Sequence, residues 1–319
     1  MADAIWMDVL DPATEDLERS PVAVMSEDAE HLLRPAGEDD ARTRLELRGD
    51  YLFGLLLLPV SVAEQDRVFY QEVDLIANER GVLTVRKTPP GGDPPFDPSV
   101  LKPFVLGGRT DMPGMLVYRL FDEAAERFAD MVDALEQEID ELEDSLDHWD
   151  AESIRVRLRE LRHDLLQARQ RLGPMRDAIR KVSDGALDLP DGELFPRPVE
   201  VRFADTYDKI LRVSDSIELL RDLVSGVRDY HQAQVANEQN EVTKRLTVLA
   251  SILLFPTVVA GVYGQNFVHM PELRWRFGYL FSWGVILLVT VGQLVYFRRK
   301  GWIGPRRRRP SSRRRRASV

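Results

Sequence analysis

Hydrophobic positions along this chain change their spacing twice, and each change marks a different kind of element. In the first third they come as short runs between turn signals. Ile5-Trp6-Met7-Asp8-Val9 reads as a strand stopped by Asp11-Pro12. Leu45-Glu46-Leu47-Arg48 and Tyr51–Leu58 flank Gly49-Asp50, the pattern of a hairpin. Phe69–Ile76 and Val82–Arg86 flank Asn78-Glu79-Arg80-Gly81 and read as a second strand pair. Pro89–Pro98, dense in Pro and Gly, reads as a loop, and Met112-Pro113-Gly114 closes the region.

From Leu120 the spacing alternates between three and four. Phe128, Val132, Leu135, Ile139, Leu142 and Leu146 form one seam. Ile154, Leu158, Leu161, Leu165, Ala168, Leu172, Met175 and Ile179 form a second. These predict two long helices with coiled-coil-like faces, joined near His148-Trp149-Asp150. Gly173-Pro174 predicts a kink in the second, and Ser183–Pro198 reads as a loop. A third helix starts near Val201 and meets no strong breaker until Pro256. Unbroken to Tyr263, it would be on the order of 90 Å long at about 1.5 Å per residue.

The third pattern has no polar face at all. No charged residue occurs between Leu246 and Pro271, nor between Phe277 and Phe297. Each stretch has the roughly 20 residues needed to cross a hydrocarbon core of about 30 Å. Two spans near the C-terminus, separated by a short loop, make an otherwise acidic and polar chain a membrane protein. The whole-chain values (44% hydrophobic, 30% charged, mean hydropathy −0.26) conceal this.

Charge then orients it. Eleven basic residues and no acid follow Phe297, so the rest is more acidic than the net −10 of the whole chain. By the positive-inside rule the basic tail stays in the cytoplasm, and with two spans so does the N-terminal part. Met1–Leu10 has two aspartates and no basic residue, unlike a signal peptide. Absence of Cys excludes disulfides and thiolate metal sites. The tail has three readings: pairing with acidic helix faces, contact with anionic lipid, or topology alone. Lipid contact is worth about 1 kcal/mol per basic residue near the surface. No aromatic residue follows Trp302, which argues against nucleic-acid binding.

Candidate chemistry is sparse. There is no phosphate-cradling Gly-rich loop and no nucleophile paired with a base, so neither an enzyme nor an ATP-driven pump is expected. None of the five His residues pairs with another at metal-ligand spacing, and only His269 lies in the loop between the spans. The most structured signal is a stripe on the first span: Asn240, Thr243, Leu246 or Thr247, Ala250, Leu254, Thr257 and Gly261. Its members are small or polar among bulky neighbours such as Ile252, Leu253, Phe255, Val258 and Val259. The stripe suits a close helix–helix contact, or a pore lined by copies of this helix. Two spans cannot enclose a path, so a pore requires a homo-oligomer.

The loop and its flanks carry a resemblance. Asn240-Glu241-Val242, Leu246-Thr247, Ala260-Gly261-Val262-Tyr263-Gly264-Gln265-Asn266-Phe267 and Met270-Pro271-Glu272-Leu273-Arg274-Trp275 resemble the CorA family of divalent-cation channels. The likeness extends back through Phe203-Ala204-Asp205-Thr206-Tyr207-Asp208 and Arg221-Asp222-Leu223-Val224-Ser225-Gly226. It implies a funnel-shaped homopentamer with the first span around the axis, and passive uptake of Mg2+, or of Co2+ and Ni2+. On this resemblance Gly264, Gln265 and Asn266 form the outer selectivity filter. Asn240, Leu246, Leu254 and Thr257 fall at the family's pore-lining positions, Leu246 and Leu254 as apolar constrictions, and the stripe adds Thr243, Ala250 and Gly261 as pore-lining candidates. Asp205 matches an aspartate that binds regulatory Mg2+ between subunits. The bound or carried ion is a divalent cation, with no further cofactor.

Mg2+ sheds water reluctantly. A ring of Asn266 amide oxygens would hydrogen-bond to its water shell and still let the ion leave, as conduction requires. A plain C-terminal helix cap is the other role for Asn266. Gly264 is expected where the chain leaves the helix, at φ > 0. Glu272 would concentrate cations at the mouth, or merely pair with Arg274 or Arg276. The family signature has Met where this chain has Gln265, and relatives with Gly-Ile-Asn are zinc transporters. Gln265 either faces the axis and adds amides to the filter, or faces away and needs a hydrogen-bond partner.

The fold class expected is an α+β cytoplasmic domain with a long helical stalk and two C-terminal transmembrane helices. Residues 1–118 are the α/β domain, 119–200 the paired helices packed on it, and 201–264 the stalk helix running into the first span at about 246–263. Residues 265–276 form the outer loop, 277–297 the second span and 298–319 the basic tail. The expected setting is the inner cell membrane, with lipid and identical subunits as partners. A zinc or nickel transporter, with or without proton coupling, and a membrane-anchored coiled-coil scaffold are the alternatives.

Overall fold

The computed structural model describes residues 6–36, 41–62, 67–88, 96–101, 113–146, 148–187, 189–190, 192–265, 270 and 274–303. They divide into two compact units, one within Met1–Arg228 and one within Asp229–Val319.

The first unit is built on a five-stranded sheet of β1 (Trp6–Leu10), β2 (Arg44–Arg48), β3 (Tyr51–Val62), β4 (Arg67–Asn78) and β5 (Gly81–Arg86), in the order β1-β5-β4-β3-β2. β1 pairs parallel to β5 and every other pair is antiparallel. Gly49 has φ 64°, where a side chain would be strained, and closes the two-residue turn between Arg48 and Tyr51. Asn78 closes the second turn by accepting from the backbone N–H of Arg80 (2.9 Å) and Gly81 (3.3 Å). The edge strand β1 is pinned by the Arg86 guanidinium on the Asp8 carboxylate at 2.8–3.1 Å.

Both faces of the sheet are buried, which is why Tyr51–Leu58 shows almost no polar alternation. Leu52, Leu56 and Leu58 join Val73 and Leu75 in the larger core. Tyr51 and Phe53 join Ile76, Leu83 and Val85 in a smaller one on the other face. That smaller core is closed by α1 (Thr14–Glu18) and α2 (Ser26–Leu33), through Leu17 and Leu32. Neither helix was expected from the sequence: each offers a single buried leucine, too little for a recognisable period.

The larger core is completed by α3 (Pro113–Ser145), α4 (Ala151–Ser183) and the first part of α5 (Arg197–Tyr263). Every residue of the two predicted seams is buried. Asp150 starts α4 by accepting from Glu152 N and Ser153 N at 3.2 and 3.0 Å. α4 runs without a break through Pro174. On α5, Phe203, Ile210, Val213, Ile217, Leu220, Val224 and Val227 are buried at spacings of three, four and seven. Phe203 meets the rings of Tyr118, Phe121 and Phe195 at 5.6–5.9 Å.

The second unit holds the last part of α5 and α6 (Gly278–Arg299). Both helices contain a window long and apolar enough to cross a membrane, and almost none of either window is buried. Leu253 is 67% exposed and Leu288 74%. Buried in water, such surface would associate; in lipid it needs no cover.

Candidate functional site: the last turns of helix α5

A single helix carries most of the predicted site, and α5 is unbroken from Arg197 to Tyr263. Pro256 lies inside it without ending it; the missing N–H removes one bond of the helical ladder.

Around the C-terminal half of α5 the side chains sort by exposure. Asn240, Thr243, Leu246, Ala250, Leu254, Thr257 and Gly261 are all exposed. Val248, Ile252, Phe255, Val259 and Tyr263 are buried or half-buried. At about 100° per residue the two sets are centred on roughly opposite sides of the helix. The side covered within the protomer is therefore not the stripe. Leu253, Val258 and Val262, on the flanks, are also exposed.

The threonines of this segment share a hydrogen-bond habit. Thr243 Oγ1 donates to Gln239 O (2.9 Å), Thr247 Oγ1 to Thr243 O (2.9 Å), and Thr257 Oγ1 to Leu253 O (2.7 Å). Each hydroxyl spends its proton inside the helix, so what it presents outward is an oxygen acceptor. Acceptors alone suit a cation or the protons of its water shell.

At the end of the helix Gly264 N–H donates to Ala260 O (2.8 Å), and Gln265 N–H to Val262 O (3.3 Å). The expected left-handed backbone at Gly264 is not found: the glycines with positive φ are Gly49, Gly185 and Gly301 among the described residues. Its small size has another reason, since a Cβ there would stand 3.1 Å from the Ala260 carbonyl oxygen. Gln265 is exposed. Asn266, His269 and Glu272 lie outside the described residues, as does the tail beyond Ile303.

Asp205 sits on the other unit, on the stretch of α5 that packs against α3. Asp205 itself is exposed while Phe203 and Thr206 on either side are buried. Thr206 Oγ1 donates to Asp122 Oδ1 (3.1 Å), and Lys209 Nζ bridges Asp122 (2.9 Å) and Glu126 (2.5 Å). Burial opposes the Lys209 charge, but the hydrogen bonds it donates to Glu126 and Asp122 outweigh it and hold its pKa above the ordinary lysine value. These contacts fix the helix rotation that leaves the Asp205 carboxylate pointing out of the protomer.

A second polar constellation was missed by sequence reasoning. On the α2 side of the sheet, Glu72 and Asp74 of β4, Lys87 just after β5 and His31 of α2 converge beneath the surface. Alternating acids on a strand look like a solvated face, and the unforeseen α2 brings His31 over them.

The family model for the CorA-like Mg2+ transporter protein matches residues 2–299. Over 298 residues the chain is 29% identical to the putative metal ion transporter YfjQ of Bacillus subtilis, covering 93% of this chain and 89% of that one. It is 34% identical to the cobalt/magnesium transport protein CorA of Thermotoga maritima over 189 residues, 59% of this chain and 52% of the relative. That second alignment thus spans about half of the relative's length. The solved CorA magnesium transporter of Methanocaldococcus jannaschii superposes with a TM-score of 0.76 at 22% identity, covering 93% and 91% of the two chains. At that identity the superposition speaks for the fold, and the fold agrees with the expected α+β domain, long helix and two C-terminal spans.

Proposed function

The chain belongs to the CorA-like Mg2+ transporter family, and from that premise we propose that it is a divalent-cation channel whose path is lined by the stripe on α5. Mg2+ is the preferred ion, with Co2+ or Ni2+ as further cargo. The observation that carries this is the sidedness of α5: its small and polar stripe is exposed and lies opposite the side covered within the protomer. A lipid-facing stripe would gain from being bulky and apolar throughout, as its flanks are. A stripe of Asn240, Thr243, Ala250, Thr257 and Gly261 is better placed against copies of itself around water. One protomer cannot close that ring, so the working unit is a homo-oligomer, and we assign a pentamer.

In this reading Leu246 and Leu254 narrow the path, and the oxygen acceptors of Thr243 and Thr257 line it. Gly264, Gln265 and Asn266 form the outer filter, where amide oxygens hold the ion by its water shell. Glu272 draws cations toward the mouth. Asp205, exposed on its protomer, binds a regulatory Mg2+ against a neighbouring subunit. Loss of that ion lets acidic subunits repel and opens the path. The chain sits in the inner membrane with both termini in the cytoplasm, and its basic tail contacts anionic lipid.

Competitive flux into liposomes with Mg2+, Co2+, Ni2+ and Zn2+ tests the assignment. Wild type should favour Mg2+, and Asn266→Ala should lose uptake while its oligomer still assembles. Normal flux in that variant would favour a scaffold and end the channel reading. Gln265→Met tests the filter: an unchanged ion ranking would remove position 265 from selectivity.

A further inference from the structure

The buried constellation on the α2 side of the sheet has the donor set of a metal site. His31 Nε2 lies 3.3 Å from Asp74 Oδ1 and 3.9 Å from Glu72 Oε1, and one ligand atom from each of the three lies within 4.8 Å of the others. Ligand atoms held 2.0–2.2 Å from an ion stand roughly 3–3.6 Å apart, so the trio needs only a small contraction. The carboxylates are enclosed, Glu72 5% and Asp74 0% exposed, whereas the His31 side chain is 29% exposed and gives the pocket its door.

What fills the charge in this state is Lys87. Its Nζ stands 2.5 Å from Glu72 Oε1 and 2.9 Å from Asp74 Oδ2, and also donates to the His31 carbonyl (3.2 Å). The match is incomplete. One ammonium faces two carboxylates, and the fully enclosed Asp74 Oδ2 has only its 2.9 Å pairing with Lys87. The other oxygen, Asp74 Oδ1, faces the imidazole. Arg48, Asp28 and Tyr51 form a separate network on this side, and Phe53 meets the His31 ring edge-on at 5.5 Å, which fixes its orientation.

We propose that His31, Glu72 and Asp74 form a binding site for a borderline transition-metal dication, one of Co2+, Ni2+ or Zn2+, with Lys87 as the internal cation it competes against. One imidazole nitrogen and two carboxylate oxygens suit that class, whereas Mg2+ prefers an all-oxygen octahedron. Coordination uses the lone pair of Nε2, so the ring proton resides on Nδ1. Bound metal strengthens the tie between α2 and β4, which the His31–Asp74 contact, Lys87 and the small core already join. The site is separate from the α5 path, and its occupancy does not depend on whether the chain conducts ions.

Co2+ is the probe, added to the detergent-solubilised full chain with a large excess of Mg2+ to occupy oxygen-only sites. Wild type should bind one Mg2+-resistant Co2+ per chain, with visible absorption bands of nitrogen ligation and a raised Tm. His31→Gln should lose that ion and the Tm rise together. Lys87→Met removes the competing ammonium: its metal-free Tm should fall, and Co2+ should restore it and bind on the order of tenfold more tightly. Equal Co2+ stoichiometry in wild type and His31→Gln, or no Mg2+-resistant Co2+ in either, overturns the proposal. So does a Lys87→Met protein that Co2+ fails to stabilise, which would leave Lys87 as a plain buried ion-pair partner.

Discussion

The two ends of α5 share one helix but not one environment. From Phe203 to Val227 most of its large apolar residues keep to one stripe buried in the protomer's own core, and Leu219 and Leu223 are the exposed exceptions. From Leu246 to Val262 apolar residues occur all round, and Leu246, Leu249, Leu253, Leu254, Val258 and Val262 remain open. Regular spacing with polar gaps therefore marks surface that one chain can satisfy alone. Apolar residues all round mark surface that requires lipid or another copy. The covered side within that second stretch adds a direction the sequence did not supply.

Four substitutions sharpen this contrast. The largest effect should come from comparing Phe203→Ala with Leu253→Ala. Phe203 is fully buried among three rings, and its loss should cost about 3–5 kcal/mol of stability. Leu253, 67% exposed, should cost under about 0.5 kcal/mol in detergent. Thermal unfolding reads both, and equal losses would mean that the second stretch is packed as tightly as the first.

Next, Asp205→Ala should leave stability within about 0.5 kcal/mol, because the carboxylate faces outward. Its effect should appear in function, as flux that persists at Mg2+ concentrations closing the wild type. A stability loss with unchanged gating would make Asp205 an ordinary structural acid.

A modest stability effect, about 1 kcal/mol, is expected at Lys209→Met, for a partly exposed bridge to Asp122 and Glu126. The sign is fixed by its raised pKa. The contribution is complete below the ordinary lysine value of 10.5 and fades as pH climbs through the higher folded value. The gap between wild type and variant should hold at neutral pH and close only under strong alkali. A gap that closes near neutrality would assign the effect to another group.

Much of the fold was legible because burial in the first unit follows period. All five strands fall in short apolar runs between turn signals, and both seams where apolar residues recur at three and four. What was not legible depended on tertiary contact. α1 and α2 are too short to show a period, and Glu72 and Asp74, which meet His31 of α2, look like a solvated strand face. Gly264 was expected for its backbone freedom, but the Ala260 carbonyl restricts it by proximity. Of the candidate site, the stripe could be written down from sequence, but whether it faced its own protomer could not. That depended on Val248, Ile252 and Phe255 being the covered side.

The central claim is that the stripe on α5 faces water inside an assembly, and its flank faces lipid. The chain has no cysteine, so single replacements report without background. Leu254→Cys and Thr257→Cys on the stripe should react with a membrane-impermeant thiol reagent in the open assembly, and reaction should block flux. Leu253→Cys and Val258→Cys on the flank should neither react nor block. Equal labelling of both sets, or labelling of the stripe with flux unchanged, would contradict the account.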